Sequence, residues 1–217
     1  MTSDQGPWAF VGDLHGRVEV LERILARDPS LRYHYVFVGD IIHHKPFFRF
    51  TKRTSPVKML AKVCEMVDKG QATLILGNNE NYILKSLVMP VEDIRKKEVK
   101  STLKALREID LQTRVKYISL LSNAPLSLEL GGEFRLAHAY YPHATREVTR
   151  ETVLHGPGYV WFRNNDLARH GIRDDYKYFF GHYGYPYRRK NVSIIDATSL
   201  EAVGVYYTDR DEFLVYY

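Results

Sequence analysis

Three apolar runs in the first eighty residues close in nearly the same way: WAFVGD at 8–13, YVFVGD at 35–40 and ATLILGN at 72–78. Each is a short, nearly unbroken hydrophobic stretch ended by glycine and then by an acid or an amide, the pattern of a strand buried on both faces that stops at a polar turn. Between the first two lies RVEVLERILARD, in which Val18, Leu21, Ile24 and Leu25 recur at helical spacing, so the unit reads as β-α-β. Pro56 is placed to open a second helix whose Val57, Leu60, Val63, Cys64 and Val67 share one face and which ends near Gly70. In an α/β layout of this kind the chemistry collects at the carboxyl ends of the strands.

Residues 83 to 121 read as mostly helical, with EDIRKKEVKSTLKALREID a solvated helix that turns Leu103, Leu106 and Ile109 inward. From Leu126 the character changes to strands: LSLEL, a Gly131-Gly132 turn and FRLAHA form a hairpin, followed by YKYFFGH, NVSIIDA, AVGVYY and FLVYY. The string GGEF matches a cyclase signature, but a tight hairpin between alternating strands accounts for it. The expectation is an α/β chain in which two sheets pack together with helices outside, one domain over 1–217 with a helical excursion at about 83–121. No repeat, low-complexity tract or linker interrupts it.

The chain has 217 residues, and its 31 Lys+Arg against 26 Asp+Glu give a net charge of +5. That balance suits an anionic partner and falls short of a nucleic-acid-binding tail, so stable DNA binding is not expected. Cys64 is the one cysteine, which excludes an intrachain disulfide and a thiolate zinc cluster. No basic region leads into an apolar core at the N-terminus and no apolar run is long enough to span a bilayer; the expectation is a cytoplasmic protein without membrane partners.

The polar residues at the strand ends form one set. VGDLHG supplies Asp13 and His15, the second VGD supplies Asp40, LGNN supplies Asn78, LAHA supplies His138 and FFGH supplies His182. Carboxylate, imidazole and amide donors without thiolates suit divalent ions such as Mn²⁺, with Fe²⁺ or Zn²⁺ as alternatives. Six such ligands suit two ions. Two dications about 3.5–4 Å apart clamp phosphate oxygens and make a water nucleophilic near neutral pH. Asp40 is the natural bridge. Two dications, two carboxylates and a hydroxide leave a charge of about +1 to receive a phosphate.

The order GDxHG, GD, GN, HA and GH resembles the calcineurin-like metallophosphoesterases, in particular the branch of phosphoprotein phosphatases and bacterial symmetrical dinucleoside tetraphosphatases, over roughly Trp8 to Tyr207. The resemblance implies two mixed β-sheets packed as a sandwich between helical layers. It also implies one ion held at Asp13, His15 and Asp40, and a second at Asp40, Asn78, His138 and His182. VWFRNN resembles a Trp-x-Arg segment of the bacterial members, which makes Arg163 a phosphate ligand; the alternative is a surface arginine beside a core tryptophan.

Two motifs depart from that family. Its GNH[DE] is GNNE here, so Asn79 stands where a histidine protonates the leaving oxygen, and an amide does not titrate near neutral pH. Its GDxxDRG is GDIIHHK here, so His43 replaces the aspartate that orients that histidine and His44 the arginine that grips phosphate. One reading is an exchange: His43 becomes the acid or phosphate donor, Asn79 orients it, and His44 or Lys45 supplies the missing charge. The other is a polar turn before Pro46. Losing a general acid costs about 10²–10⁴-fold, so esters with good leaving groups should still be hydrolysed.

The implied activity is a metal-dependent phosphatase of phosphomonoesters or nucleotide phosphates. Its alternatives are a catalytically weak binding or regulatory protein on the same fold and a phosphodiesterase or RNA-end-processing enzyme. Downstream of His182, YGYPYRRKN reads as a solvated turn with partly buried tyrosines; the alternative is a segment that stacks a base and binds phosphates. His143, His155 and His170 carry no assigned role.

Overall fold

The computed structural model describes residues 6–42, 54–87, 97–141, 154 and 172–217. Ten strands and five helices alternate along them: β1 (Trp8–Val11), α1 (Val18–Ala26), β2 (His34–Phe37), α2 (Pro56–Asp68), β3 (Ala72–Leu74), α3 (Asn78–Ser86), α4 (Lys97–Glu108), α5 (Leu111–Asn123), β4 (Ser127–Leu130), β5 (Phe134–Ala137), β6 (Lys177–Phe180), β7 (Tyr187–Arg189), β8 (Val192–Ile194), β9 (Val203–Tyr207) and β10 (Glu212–Tyr216).

The strands form two five-stranded sheets, ordered β10-β9-β1-β2-β3 and β4-β5-β6-β8-β7. Both are mixed. In the first, β1, β2 and β3 run parallel, β9 runs antiparallel to β1, and β10 runs antiparallel to β9. In the second, β5, β6 and β8 run parallel, flanked by antiparallel β4 and β7.

Strand alternation explains why the sheets stack. On β1, Trp8 and Phe10 enter the core between the sheets, while Ala9 and Val11 enter the core beneath the helices. Tyr206 and Tyr207 divide in the same manner. The middle of the sandwich is aromatic: Phe10 meets Phe179 edge to face at 4.9 Å, and Phe179 meets Tyr206 at 4.5 Å. Both faces of the central strands are therefore covered, which is why they read as continuous apolar runs.

The helices follow their sequence signals. Ser55 caps α2 by accepting the backbone N–H of Lys58, Pro56 fills the first helical position, and the chain leaves through Gly70 in a left-handed conformation. Leu103 and Leu106 of α4 are buried and Ile109 packs partly against the same core. Gly131 and Gly132, both with positive φ, turn β4 into β5. The segment after His182 begins as the expected turn, with Tyr183 buried and Tyr185 exposed, and ends in an edge strand, β7, on which Tyr187 is exposed; β7 has a partner on one side alone. Among the described residues no helix is long and apolar enough to cross a membrane.

Candidate metal centre

The parallel strands of both sheets deliver their polar turns to one place. Asp13 and His15 follow β1, Asp40 follows β2, Asn78 opens α3 after β3, His138 follows β5 and His182 follows β6. Asp13, Asp40 and His138 bring ligand atoms within 4.8 Å of one another. His15 Nε2 is 3.7 Å from Asp13 Oδ2, and His138 Nε2 is 3.4 Å from Asp40 Oδ1. Asp13, His15, Asp40 and His138 are buried, while Asn78, Asn79 and His182 are half-buried and form the open side.

Three of the seven non-glycine residues with positive φ among the described residues lie here. His15, Asp40 and His182 have φ of 48°, 50° and 67°, a left-handed conformation that costs a non-glycine residue about 1–2 kcal/mol and persists where the surroundings over-determine it. The surroundings are tight. A Cβ on Gly77 would lie 2.2 Å from Asp40 N, and one on Gly181 would lie 2.3 Å from Asp13 Oδ1. Gly39, Gly77 and Gly181, which precede Asp40, Asn78 and His182, are therefore required by the close approach of a neighbouring ligand turn.

Three side chains lock these turns. Glu80, fully buried, accepts the backbone N–H groups of Asp40 (2.8 Å), Ile42 (3.1 Å) and Gly77 (3.1 Å), and so joins the β2 turn to the β3 turn. Burial first, and then the charge of Asp40, push its pKa up, against the pull of the Ile42 and Asp40 N–H donors. Arg17 is also buried. Its Nε donates to Leu14 O (2.9 Å) and its Nη2 to Asp13 O and Ala202 O (3.0 Å each), which clamps the β1 turn to the connection before β9. Burial lowers its pKa to about 10, offset by Asp196 and Asp13, so it stays charged at neutral pH. Asn79 is the third lock: its backbone N–H donates to Asp40 Oδ1 and its Nδ2 to Asp40 Oδ2, both at 2.9 Å.

Sequence reasoning missed Glu80 and Arg17. Glu80 was legible only as the last letter of GNNE, and nothing local marks Arg17, whose third acceptor is 185 residues away.

The donor set fits a cation. His138 Nδ1 lies 2.8 Å from the carbonyl of Val38, which can only accept, so Nδ1 carries the proton and Nε2 turns its lone pair toward Asp40 and Asn78. Asn78 Oδ1 is 2.8 Å from that Nε2 and 3.3 Å from His182 Nδ1. An amide oxygen facing imidazole lone pairs and a carboxylate is stabilised by a divalent ion among them. Turned by 180°, the Asn78 amide would instead donate to Asp40, His138 and His182. Both orientations are chemically sound, one with a cation and one without.

A family model of the calcineurin-like phosphoesterases matches residues 7–210. The chain belongs to that family. No curated protein sequence matches it. Among solved structures, this calcineurin-like phosphoesterase is similar to one described as "a putative diadenosine tetraphosphatase", with a TM-score of 0.67 at 16% identity over 99% of this chain and 95% of the other. A metallophosphoesterase from Sphaerobacter thermophilus superposes with a TM-score of 0.59 at 14% identity, over 98% and 87%. A protein serine/threonine phosphatase from Saccharomyces cerevisiae does so with 0.56 at 12%, over 99% and 79%. At these identities the likeness establishes the fold.

Of the residues read from sequence, Asp13, His15, Asp40, Asn78, His138 and His182 come together with Asn79 beside them. His43, His44, Lys45 and Arg163 lie outside the described residues, as do His143, His155 and His170.

Proposed function

We propose that the protein is a dinuclear-metal-dependent phosphatase of phosphomonoesters or nucleotide phosphates, with Mn²⁺ as the favoured metal and the cytoplasm as its compartment. The observation that carries this is the convergence of Asp13, Asp40 and His138 from two different sheets within 4.8 Å, in a chain of the calcineurin-like phosphoesterase family. Asp13, His15 and Asp40 would hold one ion, and Asp40, Asn78, His138 and His182 the other. Bound there, the ions supply Lewis acidity and a nucleophilic water.

The chain's own residues do the rest. Glu80 and Arg17 fix the ligand turns, so little reorganisation accompanies metal loading or reaction. His138 is held as the tautomer that presents Nε2 by the carbonyl of Val38. One N–H of the Asn79 amide is directed to Asp40 Oδ2, and the amide nitrogen lies 3.4 Å from His15 Nδ1, which leaves the carbonyl oxygen, an acceptor, for a further partner. An amide has no titratable proton to give a leaving oxygen, and its oxygen can still accept a hydrogen bond from an imidazole such as His43. In this reading His43 is the acid, His44 and Arg163 bind phosphate, and esters with good leaving groups are the better substrates. The direction of the Asn79 amide also favours a second reading, a metal-binding protein of low activity.

The test is turnover of para-nitrophenyl phosphate and its bis-ester by metal-stripped protein refilled with Mn²⁺, alongside Asp40→Asn. Mn²⁺-dependent turnover that Asp40→Asn abolishes is the expected result. Tight Mn²⁺ binding with no turnover of either ester would sink the enzyme reading in favour of the second, and turnover of the bis-ester alone would favour a phosphodiesterase. His43→Ala should then lower the rate about 10²–10⁴-fold; an unchanged rate would remove His43 from the mechanism.

A further inference from the structure

Strand β8 ends as β1 and β2 do, in an acid, yet that acid has no part in the ligand set. The run NVSIID places Asp196 two residues beyond Ile194, fully buried. Both of its oxygens face backbone donors: Oδ1 accepts the N–H of Thr198 at 2.9 Å, and Oδ2 accepts that of Gly184. Burying a carboxylate is costly unless hydrogen bonds and a cation compensate it. Both are present, since Asp196, ahead of Asp13 and Glu201, offsets the desolvation of buried Arg17.

The connection that carries Asp196 runs from one sheet to the other and touches the ligand turns of both. Ile195 donates its N–H to Phe180 O at 2.8 Å, at the end of β6. A Cβ on Gly12 would lie 2.4 Å from Ile195 O and 3.3 Å from Asp196 N, so the chain just before Asp13 lies directly against this connection.

His182 is thereby held from both ends. Its own N–H lies 3.1 and 3.2 Å from the two oxygens of Asp13. Two residues on, Gly184, at φ 83°, is gripped through both backbone groups, its N–H by Asp196 and its carbonyl by the N–H of Ser199 at 2.8 Å. Between them Tyr183 is buried, and its hydroxyl donates to Ala139 O at 2.7 Å. The left-handed backbone of His182 needs such surroundings to persist. An asparagine in place of Asp196 would have one acceptor oxygen for two N–H donors and would turn an NH₂ toward the other.

We propose that Asp196 is a positioning residue: through Gly184 it sets the His182 imidazole at the metal centre. This rests on the metal-centre reading above, so the test includes the metal-free protein. Calorimetric titration of the metal-stripped full chain with Mn²⁺ should find the affinity of Asp196→Asn lower by about 10–100-fold. In a His182→Ala background the same substitution should bring no further fall, because a residue that acts through His182 loses its effect with it. In NMR spectra of the metal-free protein, Asp196→Asn should shift the imidazole resonances of His182 and leave those of His34, whose ring is held by Gly70 O and Thr73 Oγ1 at the start of β2. Ser55→Ala, which removes the cap of α2, should change neither readout. Unmoved His182 resonances or an unchanged Mn²⁺ affinity in Asp196→Asn would overturn the proposal. So would a fall of the same size with and without His182, which would place the effect at Arg17 and the Asp13 turn instead. If the wild type binds no Mn²⁺, the metal reading fails and the His182 resonances alone decide the positioning role: a shift upholds it and no shift overturns it. If Asp196→Asn does not fold, Gly184→Ala disturbs the same grip from the other side, since a Cβ there would lie 2.6 Å from Ser199 Oγ, and it is held to the same outcomes.

Discussion

On the sheet that carries β1, β2 and β3, the ligand turns are tied to one another, whereas the two histidines from the other sheet are tied across to the first. Glu80 joins the Asp40 and Asn78 turns, Asn79 holds both carboxylate oxygens of Asp40, and Arg17 holds the Asp13 turn. His138, by contrast, takes its orientation from Val38 O, and the backbone N–H of His182 rests on Asp13 Oδ1 at 3.1 Å. One sheet thus provides a self-braced frame and the other supplies imidazoles referenced to it. Damage to the frame should therefore spread to every ligand turn, while damage at a histidine should stay local.

The largest effect expected from breaking that frame is at Arg17. Arg17→Met removes a buried cation that faces three carbonyl oxygens and lies near Asp13 and Asp196, a loss of about 3–5 kcal/mol. Urea unfolding of the metal-free protein should report it, and equilibrium dialysis should find weakened Mn²⁺ binding, since Asp13 and His15 would hold one ion in the proposed reading. A metal-free stability equal to wild type would mean that the β1 turn holds itself.

Glu80→Gln is the next step down. It keeps the volume but turns one acceptor into a donor that faces backbone N–H groups, for about 1–3 kcal/mol. Because Glu80 stands behind Asp40 and Asn78 together, Mn²⁺ affinity should fall by about 10–100-fold, and calorimetry checks this. Unchanged affinity would show that the two turns do not need a common brace.

Ser55→Ala sharpens the comparison from outside the frame. It removes the side-chain cap of α2 and should cost about 1 kcal/mol, read as a lowered thermal midpoint, with Mn²⁺ affinity unchanged. A parallel loss of metal binding would mean that the frame extends into α2.

Much of this arrangement was legible in the residues themselves. The apolar runs at 8–13, 35–40 and 72–78 gave the strands WAFV, HYVF and ATL because their apolar content suits burial on both faces, and the candidate ligands followed because each run halts at a polar residue. Helix α2 began at Ser55-Pro56 and closed before Gly70 through contacts within one helical turn. The segment after His182 was the weak point, since YGYPYRRKN carries turn residues and β-formers together and only pairing with β8 made its second half the edge strand β7.

The order of strands and helices and the residues that converge at the candidate metal centre follow from the sequence, because hydrophobic periodicity, caps and strand-ending acids act over a few residues. Tertiary structure decided which side chains hold those ligands still. Glu80 reaches residues 38 and 40 positions away, Arg17 one 185 positions away and His138 one 100 positions away. Such bonds form only once two sheets close on each other, bury the donors and acceptors from water and leave each with a single partner within reach.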